Sequence, residues 1–331
     1  MKMSSNAATI YVIGNVNVDL IMGPLAPWPQ PGTESILPQG ELRVGGAAGN
    51  AALALQAMRA RYRLICNMGD DVFGRWLAAP FGEAGRDWQW TPMPTTISVG
   101  LTHPNGERTF LTSLGHLAAM TLNDALPLLP TRASPGDVAL LLGAFLSPRL
   151  LDSYDELVEA LVERGFEIAL DTGWPPSGWS EEMRRRATRW LPACDHVLLN
   201  EIESCGLSGE PDVATAAAWI GRRAKPGATI VIKRGPFGAS GWCQGQETHA
   251  TAPKVEVIDT IGAGDVFNAA YLHARLQGRD LAASIAEGVD VASAVISTSP
   301  RRYSRQSSTA STPLPNPLPQ GGRGLEKAAG D

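Results

Sequence analysis

The segment from residue 259 to residue 272 reads DTIGAGDVFNAAYL, in which acidic residues flank a cluster of small ones. Apolar residues recur at i, i+3, i+4 and i+7 from Phe267 onward, which predicts a helix that starts near Gly264 and ends at Gly278. The preceding residues 254–258 alternate in hydrophobicity like a short strand. The segment is therefore predicted to be a strand, a turn of small residues and a helix.

The small residues Gly262, Ala263 and Gly264 fall at the start of the predicted helix. There the first backbone N–H groups lack partners, the helix dipole is positive, and glycines let an oxyanion approach the backbone. These features suit a phosphate-binding cradle. Two roles are open for Asp265: it accepts the proton of a hydroxyl that attacks a phosphate, or it only complements the helix dipole. The dipole predicts a low pKa for this carboxyl in either role.

The composition argues against several classes of protein. With 331 residues, 44% of them hydrophobic, the chain can form one large α/β domain or two smaller ones. A net charge of −5 predicts neither a nucleic acid nor a membrane surface as a partner. The four cysteines form no CxxC pair and the five histidines have no metal-ligand spacing, which fits a cytoplasmic protein with free thiols. No apolar run reaches the ~18 residues of a membrane span.

Strand-like and helical patterns alternate from about residue 136 onward. The runs DVALLLG, FEIALD, DHVLLN and TIVIKRG are apolar on both parities, as parallel strands covered on both faces are. Helical patterns lie between them, in SPRLLDSYDELVEALVERG and PDVATAAAWIGRRA. This alternation predicts an α/β fold, a three-layer doubly wound sandwich around a mostly parallel sheet.

The N-terminal part of the chain shows a different organisation. Residues 10–22 look like one strand, a Pro-rich loop follows, and residues 40–58 predict a short strand, a glycine pair and a helix. Two β-rich runs flank Asn105-Gly106, a strong hairpin signal. We assign residues of about 15–45 and 95–115 to a small β lid outside the main sheet.

The chain divides into one domain over residues 1–303 and a tail over residues 304–331. The tail is rich in Ser, Thr, Pro and Gly and cannot bury enough apolar surface to offset its ordering entropy. We therefore predict a disordered, low-complexity tail that is dispensable for folding and activity. A proline-rich peptide ligand at PLPNPLP is the alternative.

Three common nucleotide-binding signatures are missing from the sequence. It contains no GxxxxGK[ST] P-loop, no GxGxxG between a strand and a helix, and no protein-kinase motif. A phosphate cradle at residues 262–264 would therefore not be part of any of these three signatures.

Five segments together resemble the PfkB family of carbohydrate kinases, which has the ribokinase-like fold. DTIGAGDVFNAAYL is similar to the C-terminal signature of the family, and GGAAGNAALAL at 45–55 to its N-terminal signature. GNVNVDLIM at 14–22 resembles its substrate-binding first strand, LLNEIE at 198–203 its Asn-x-x-Glu motif, and IKRGPFGASGW at 232–242 its nucleotide-edge strand. The order and spacing of these segments match the family from roughly residue 10 to residue 303.

The resemblance implies a role for each matching residue. Asp265 would be the base on the sugar hydroxyl, and the amides of Gly262, Ala263 and Gly264 would form the anion hole. The residues implied to hold the sugar are Asn17, Asp19, Gly45, Gly46 and Asn50. The residues implied to hold ATP and Mg²⁺ are Asn200, Glu203, Lys233, Gly235 and Gly238. Asp259 and the Ile261 carbonyl would match a monovalent cation site, which implies K⁺.

Some of these residues also have a simpler alternative role. Asn50 could cap a helix, and Asn200 and Glu203 could be polar residues of a loop. Lys233 could be a solvated strand end. Asp171 ends a predicted strand, where α/β proteins bind ligands, but we assign it no direct role.

As a whole, the resemblance implies an ATP- and Mg²⁺-dependent kinase of a pentose, a ketohexose or a sugar acid. A nucleoside kinase of the same fold is the nearest alternative, and a non-catalytic sugar or nucleotide sensor is a more distant one. Residues 47–49 and His116 depart from the ribokinase pattern near the expected sugar pocket, so the sequence does not point to ribose in particular. Lid strands that pair between subunits would form a homodimer.

Overall fold

The central element of the fold is an eight-stranded β-sheet, most of which is buried on both faces. The computed structural model describes residues 8–104 and 108–303 of the chain. Along the strand Val138–Leu142, alternate side chains belong to two different hydrophobic clusters, one on each face of the sheet. A strand in this position must be apolar on both parities, which explains the continuous apolar runs in the sequence.

The described residues contain fourteen strands. In chain order they are β1 (Ile10–Ile13), β2 (Asn17–Gly23), β3 (Gln39–Gly45), β4 (Tyr62–Ile65), β5 (Asn67–Gly69), β6 (Gln89–Thr91), β7 (Ile97–Thr102), β8 (Arg108–Thr112), β9 (Val138–Leu142), β10 (Glu167–Asp171), β11 (His196–Asn200), β12 (Thr229–Lys233), β13 (Ala239–Cys243) and β14 (Gln246–Ala250). The order in the central sheet is β14-β13-β12-β11-β10-β9-β1-β4. Its six strands from β12 to β4 are parallel, and β13 and β14 extend one edge as antiparallel strands.

Helices cover both faces of this sheet. Within the described residues the α-helices are α1 (Ala47–Ala57), α2 (Val72–Ala78), α3 (Leu122–Ala125), α4 (Pro148–Asp152), α5 (Tyr154–Glu163), α6 (Glu181–Trp190), α7 (Glu201–Ser208), α8 (Val213–Gly221), α9 (Ala263–Leu276) and α10 (Leu281–Ile296). Buried residues of α1, α9 and α10 pack in the cluster on one face, and those of α5, α6 and α8 pack in the cluster on the other. The predicted three-layer sandwich around a mostly parallel sheet is confirmed.

A second sheet of four strands, with the order β3-β2-β7-β8, is separate from the central one, and we call it the lid sheet. Strands β7 and β8 form the arms of the predicted hairpin, while Asn105 and Gly106 at its turn lie outside the described residues. One prediction is wrong here, because residues 10–22 are two strands: β1 belongs to the central sheet and β2 to the lid sheet. Gly14 lies between them, where a Cβ would be 2.4 Å from the Leu142 carbonyl oxygen.

The strand predicted at residues 254–258 is also wrong. These residues pair with no strand, and Val257 and Ile258 are exposed. Alternating hydrophobicity predicts a strand only weakly, because a strand also needs a partner strand to accept and donate its backbone hydrogen bonds. The helix predicted after this segment is confirmed, since α9 begins at Ala263 and Gly278 follows its end with a φ of 79°.

The remaining features of the fold are the character of its helices, its cysteines and the end of the chain. In the part of the chain that the structure describes, no helix combines the length and apolar character needed to cross a membrane. All four cysteines are free thiols, of which Cys66 and Cys194 are buried. The tail predicted at residues 304–331 lies outside the described residues.

Candidate active site

Three neighbouring parallel strands of the central sheet end in polar residues. Strand β10 ends at Asp171, β11 at Asn200 and β12 at Lys233. Because these strands are adjacent and parallel, their carboxyl ends meet at one edge of the sheet, where α/β proteins bind ligands. The start of α9 reaches the same edge, since a Cβ at Gly264 would lie 3.3 Å from the Lys233 Nζ.

The N-terminus of α9 has the geometry of an anion cradle. Gly262 precedes the helix with a φ of 75°, a left-handed conformation that glycine adopts without steric cost. A Cβ at Gly262 would lie 2.6 Å from the Asn50 Cγ, so a larger residue does not fit there. The Ala263 N–H donates to the Thr260 carbonyl at 3.2 Å and closes the turn, so the prediction that this amide belongs to the anion hole is corrected. Among the described side chains none caps this helix end, so the positive end of its dipole remains available to a ligand.

Asp265 lies in the first turn of α9, and its Oδ2 accepts a hydrogen bond from the Asn50 Nδ2 at 3.0 Å. Burial and the negative charge of Asp171 raise the pKa of Asp265 to about 8, while Asn50 and Lys233 act to lower it. The low pKa predicted from the helix dipole is therefore wrong, because desolvation and a like charge outweigh the dipole. When ionised, a carboxylate of raised pKa is a stronger proton acceptor.

A buried ion pair lies directly behind the cradle. Lys233 Nζ donates to Asp171 Oδ2 at 2.7 Å and to Asn268 Oδ1 at 3.1 Å, and Asn268 Nδ2 donates to Asp171 Oδ2 at 2.6 Å. Burial acts to lower the pKa of Lys233, but the charges of Asp171, Glu203 and Asp265 help to raise it overall. Lys233 therefore stays a cation among three acidic side chains. The alternative of a solvated strand end is wrong, because its side chain is only 10% exposed.

The residues predicted to bind a sugar come together where β2, β3 and α1 meet. Asn17 Nδ2 donates to Asp19 Oδ1 at 2.8 Å, and a Cβ at Gly45 would lie 2.0 Å from the Asp19 Cγ. Burial raises the pKa of Asp19 to about 6, although the charge of Arg43 and the hydrogen bond from Asn17 act to lower it. Gly46 precedes α1 with a φ of 83°. The two glycines therefore make room for a buried carboxylate and amide, which lie against the backbone at these positions.

Asn50 connects the predicted sugar site to the cradle. Helix α1 begins at Ala47, so the alternative role of Asn50 as the helix cap is wrong. Its buried side chain lies against Gly262 and donates to Asp265, which belong to the other end of the chain. One hydrogen bond thus links the N-terminal and C-terminal signatures.

Asn200 and Glu203 form a reciprocal capping box at the start of α7. The Asn200 Oδ1 accepts from the Glu203 N–H at 2.8 Å, and the Glu203 Oε2 accepts from the Asn200 N–H at 2.9 Å. The alternative of polar loop residues is wrong, because both residues define a helix start. Burial and the charge of Asp171 raise the pKa of Glu203, which places this carboxyl in the same electrostatic cluster as Lys233. Their contact with ATP and Mg²⁺ stays a prediction.

Gly235 and Gly238 shape the turn between β12 and β13. Their φ values are 52° and 87°, and the Arg234 N–H donates to the Gly238 carbonyl at 2.7 Å. A Cβ at Gly238 would lie 1.9 Å from the carbonyl oxygen of Ala250 in β14. Packing alone therefore requires a glycine at 238, and its contact with a nucleotide stays a prediction.

The two predicted cation ligands lie together but do not form an open cation site. Arg301 Nη1 donates to the Ile261 carbonyl at 2.7 Å, and Arg301 Nη2 donates to the Asp259 carboxylate. Arg43 Nη1 donates to the same carboxylate oxygen at 2.5 Å. Burial acts to raise the pKa of Asp259, but Arg301 and Arg43 outweigh it and lower the pKa. The oxygens that the family resemblance implies for K⁺ therefore already accept hydrogen bonds from guanidinium groups.

His116 has a packing role near the start of the lid sheet. Its ring is fully buried, with Nδ1 accepting from the Thr96 N–H at 2.9 Å and Nε2 lying 3.1 Å from the Val16 carbonyl. Because Nδ1 accepts, Nε2 carries the proton and donates. Burial lowers the pKa of His116 to about 4, so the ring is neutral at neutral pH. Backbone hydrogen bonds on both sides therefore account for this departure from the ribokinase pattern.

Four residues of this region were not assigned from the sequence. Asp171 was visible at a strand end, and Asn268 is a buried polar residue one turn after Asp265, a signal that could have been used. Arg43 and Arg301 carry no such signal, because only the tertiary fold brings them to Asp259.

These features together define the class of protein. An anion cradle at a helix N-terminus, an adjacent carboxylate of raised pKa and a Lys–carboxylate cluster at the ends of parallel strands are the parts of a phosphoryl-transfer site. The chain belongs to the pfkB family of carbohydrate kinases, whose family model matches residues 7–307.

Known proteins similar to this chain include both sugar and nucleoside kinases. A fructokinase from Klebsiella pneumoniae is 27% identical over 275 residues, which cover 80% of this chain and 83% of the relative. The ribokinase of Arabidopsis thaliana, solved in complex with ribose and ATP, has a TM-score of 0.69 at 21% identity, over 88% of this chain and 93% of that one. The adenosine kinase of Sinorhizobium meliloti has a TM-score of 0.72 at 20% identity, over 88% and 94%. These two structures show that the fold is ribokinase-like.

Proposed function

We propose that this protein transfers the γ-phosphate of ATP to a hydroxyl group of a small carbohydrate. The observation that carries this proposal is the hydrogen bond between Asn50 and Asp265. Asn50 follows Gly46 by one helical turn, so this bond links the segment that packs on Asn17 and Asp19 to a proton acceptor at the helix N-terminus. A hydroxyl bound by Asn17 and Asp19 would point toward a phosphate bound at that helix N-terminus.

Sugar binding is assigned to the side chains of Asn17, Asp19 and Asn50. A carboxylate and two amides give directed hydrogen bonds to hydroxyl groups. Gly45 and Gly46 make room for these side chains, since a Cβ at Gly45 would lie 2.0 Å from the Asp19 Cγ and a Cβ at Gly46 would lie 2.7 Å from the Asn17 Oδ1. Their burial makes each hydrogen bond selective, since a ligand without a matching hydroxyl would leave polar groups unpaired.

Asp265 is assigned as the base that accepts the proton of the attacking hydroxyl. Its raised pKa suits this role, because the cost of taking up a proton is small near that pH. The amides of Gly262 and Gly264 would stabilise the charge of the transferring phosphoryl group, while Ala263 closes the turn that aims them. The oxygen of the sugar forms a bond to the γ-phosphorus as the bond to the ADP oxygen breaks.

MgATP is assigned to the side of the site formed by Asn200, Glu203, Lys233, Gly235 and Gly238. Lys233 would balance the phosphate charge from behind the cradle. The carboxylate of Glu203 would suit a hydrated Mg²⁺ that enters with ATP, because this ion keeps several of its water ligands and can be bound through them. The capping box would then fix the direction of the Glu203 carboxylate.

A sugar is favoured over a nucleoside by the polar GNVNVD segment and by the lack of an obvious aromatic clamp for a base in the sequence. A pentose, a ketohexose and a sugar acid are the candidates. A sensor that had lost catalysis would be expected to have lost Asp265 or a cradle glycine, and this chain keeps them all.

The proposal is tested by ADP release from MgATP across a panel of sugars, sugar acids and nucleosides. We expect at least one sugar to raise ADP release well above the rate without an acceptor. A preference for nucleosides would assign the protein to nucleoside kinases of the same fold. Tight sugar binding without any ADP release would assign it to sensors.

Cytoplasmic location and a homodimer complete the proposal. The four free thiols fit a reducing compartment.

The dimer would form through β8, which is an edge strand of the lid sheet. Its residues Phe110 and Leu111 are 46% and 54% exposed, and the strand could pair with the same strand of a second subunit. We expect a dimer by sedimentation at micromolar concentration and a monomer after Leu111→Glu. A wild-type monomer under these conditions would contradict pairing through the lid.

A further inference from the structure

The oxygen atoms expected to bind a monovalent cation are held by arginine side chains. Arg301 donates from Nη1 to the Ile261 carbonyl at 2.7 Å and from Nη2 to the Asp259 Oδ2. One guanidinium thus bridges both oxygens, as a cation bound by both would. Arg43 Nη1 also donates to this Oδ2 at 2.5 Å, and the Asp259 Oδ1 accepts from the Ile261 N–H at 2.9 Å.

Charge and burial at this position oppose a metal ion. The side chains of Arg43, Arg301 and Asp259 are 7%, 10% and 17% exposed, so their charges are weakly screened. Two positive charges already face the Asp259 carboxylate, and a third cation at hydrogen-bonding distance would be repelled. An alkali ion also needs several oxygen ligands in place of its water shell, and here the oxygens accept N–H groups instead. The residues therefore do not fit K⁺.

We propose that Arg301 is a permanent internal replacement for the monovalent cation, and that activity does not depend on K⁺. The proposal rests on the kinase function proposed above. Arg301 is a positioning residue, because it reaches the anion cradle only through the peptide between Ile261 and Gly262.

The peptide between Ile261 and Gly262 carries the effect of Arg301 to the cradle. The Ile261 carbonyl and the Gly262 N–H belong to one planar, conjugated unit. A cation that hydrogen-bonds the carbonyl polarises this unit and makes its N–H a stronger donor. The same contacts fix Asp259 and Ile261 in front of α9. Arg301 would thus supply both a fixed charge and a fixed geometry without exchange with solvent.

The first test uses the wild-type protein. ADP release is measured in KCl, NaCl and tetramethylammonium chloride at one ionic strength of about 0.1 M, and we expect rates equal within about twofold. Stimulation by K⁺ of about tenfold or more would overturn the inference. Absence of turnover with every acceptor in KCl would instead contradict the kinase function.

Thermal unfolding of the wild-type protein tests the inference even without turnover. We expect the same Tm in KCl and in tetramethylammonium chloride, because a filled site has no place for the ion to bind. A rise in Tm specific to K⁺ would reveal an ion site and overturn the proposal.

A third test compares the variants Arg301→Ala, Arg301→Lys and Arg302→Ala. Arg302 follows Arg301 in the sequence, is exposed, and serves as the matched control. We expect the turnover of Arg302→Ala to equal that of the wild-type protein. We expect Arg301→Ala to lose about tenfold or more in kcat and to gain activation by K⁺ or guanidinium ion that wild type lacks. Arg301→Lys keeps the charge and should retain more activity. Normal turnover of Arg301→Ala, or a folded variant that neither ion activates, would overturn the role of the charge.

Discussion

At the scale of single residues, the chemistry of Asp265 follows from its neighbours. Burial and Asp171 hold its pKa at about 8, and the hydrogen bond from Asn50 directs its carboxylate. Lys233 limits the repulsion among the surrounding carboxylates, since its ammonium group pairs with Asp171 at 2.7 Å. The pair and Asn268 therefore act as a fixed frame behind the base.

The raised pKa of Asp265 predicts a specific dependence of stability on pH. The folded pKa of about 8 lies above the ordinary value of 3.8, so the folded protein keeps a proton that the unfolded chain has released between these values. Stability should therefore fall as pH rises through this window, by up to about 1.4 kcal/mol per pH unit from this group. We expect the Tm of Asp265→Asn to rise relative to the Tm of the wild-type protein between about pH 6 and about pH 8. The reason is that asparagine has no proton to release, so the variant escapes this loss of stability.

The control for this measurement is Asp87→Asn, at an exposed aspartate. Its Tm should stay parallel to wild type across the same pH range. A constant difference between Asp265→Asn and wild type would show that Asp265 does not take up a proton in this window.

At the level of strands and helices, the sequence alone predicts those elements whose pattern is local. Strands β9 to β12 are apolar on both parities, and the start of α9 is marked by its glycines, so both were predictable. The break between β1 and β2 was not, because apolar residues continue across it and only the pairing of the two strands with different sheets separates them.

The same distinction applies to the site. The cradle and Asp265 are contiguous in sequence, so their chemistry could be proposed from spacing. The contacts of Asp259 with Arg43 and Arg301 join three distant segments, and no local spacing marks them. Burial also reversed the predicted direction of the Asp265 pKa shift, because desolvation depends on the packed fold.

Strand β3 offers a matched pair of glycine substitutions. A Cβ at Gly45 would lie 2.0 Å from the Asp19 Cγ, whereas a Cβ at Gly40 meets no atom within 4 Å. We expect Gly45→Ala to displace Asp19 and to raise the KM for the sugar about tenfold or more, with the KM for ATP little changed. Gly40→Ala should match wild type. Equal sugar KM values for the two variants would remove Asp19 from the sugar site.

At the scale of the whole molecule, separate parts of the chain meet at one site. The lid sheet brings Asp19, the central sheet brings Asp171 and Lys233, and α9 brings Asp265. Arg301 connects the end of the described chain to the turn before α9. Closure of the lid over a bound sugar would exclude water and limit hydrolysis of ATP.

Two truncations test which part of the chain end is needed. Removal of residues 306–331 should leave turnover and Tm unchanged, because the composition of this segment cannot support a packed core. Removal of residues 301–331 also takes Arg301 and should lower turnover strongly. Turnover and thermal unfolding are measured for both. Loss of folding or activity in the shorter truncation would show that the tail is required.

The turnover of Asp265→Asn, with the sugar that the panel selects, tests the role of Asp265 as the base. Asparagine keeps the shape and the contact with Asn50 but cannot accept the proton. We expect calorimetry to show sugar and ATP binding close to wild type, with kcat lowered by about a thousandfold or more. Asp87→Asn is the control and should turn over normally. A kcat near that of wild type in Asp265→Asn would contradict the assignment of Asp265 as the base.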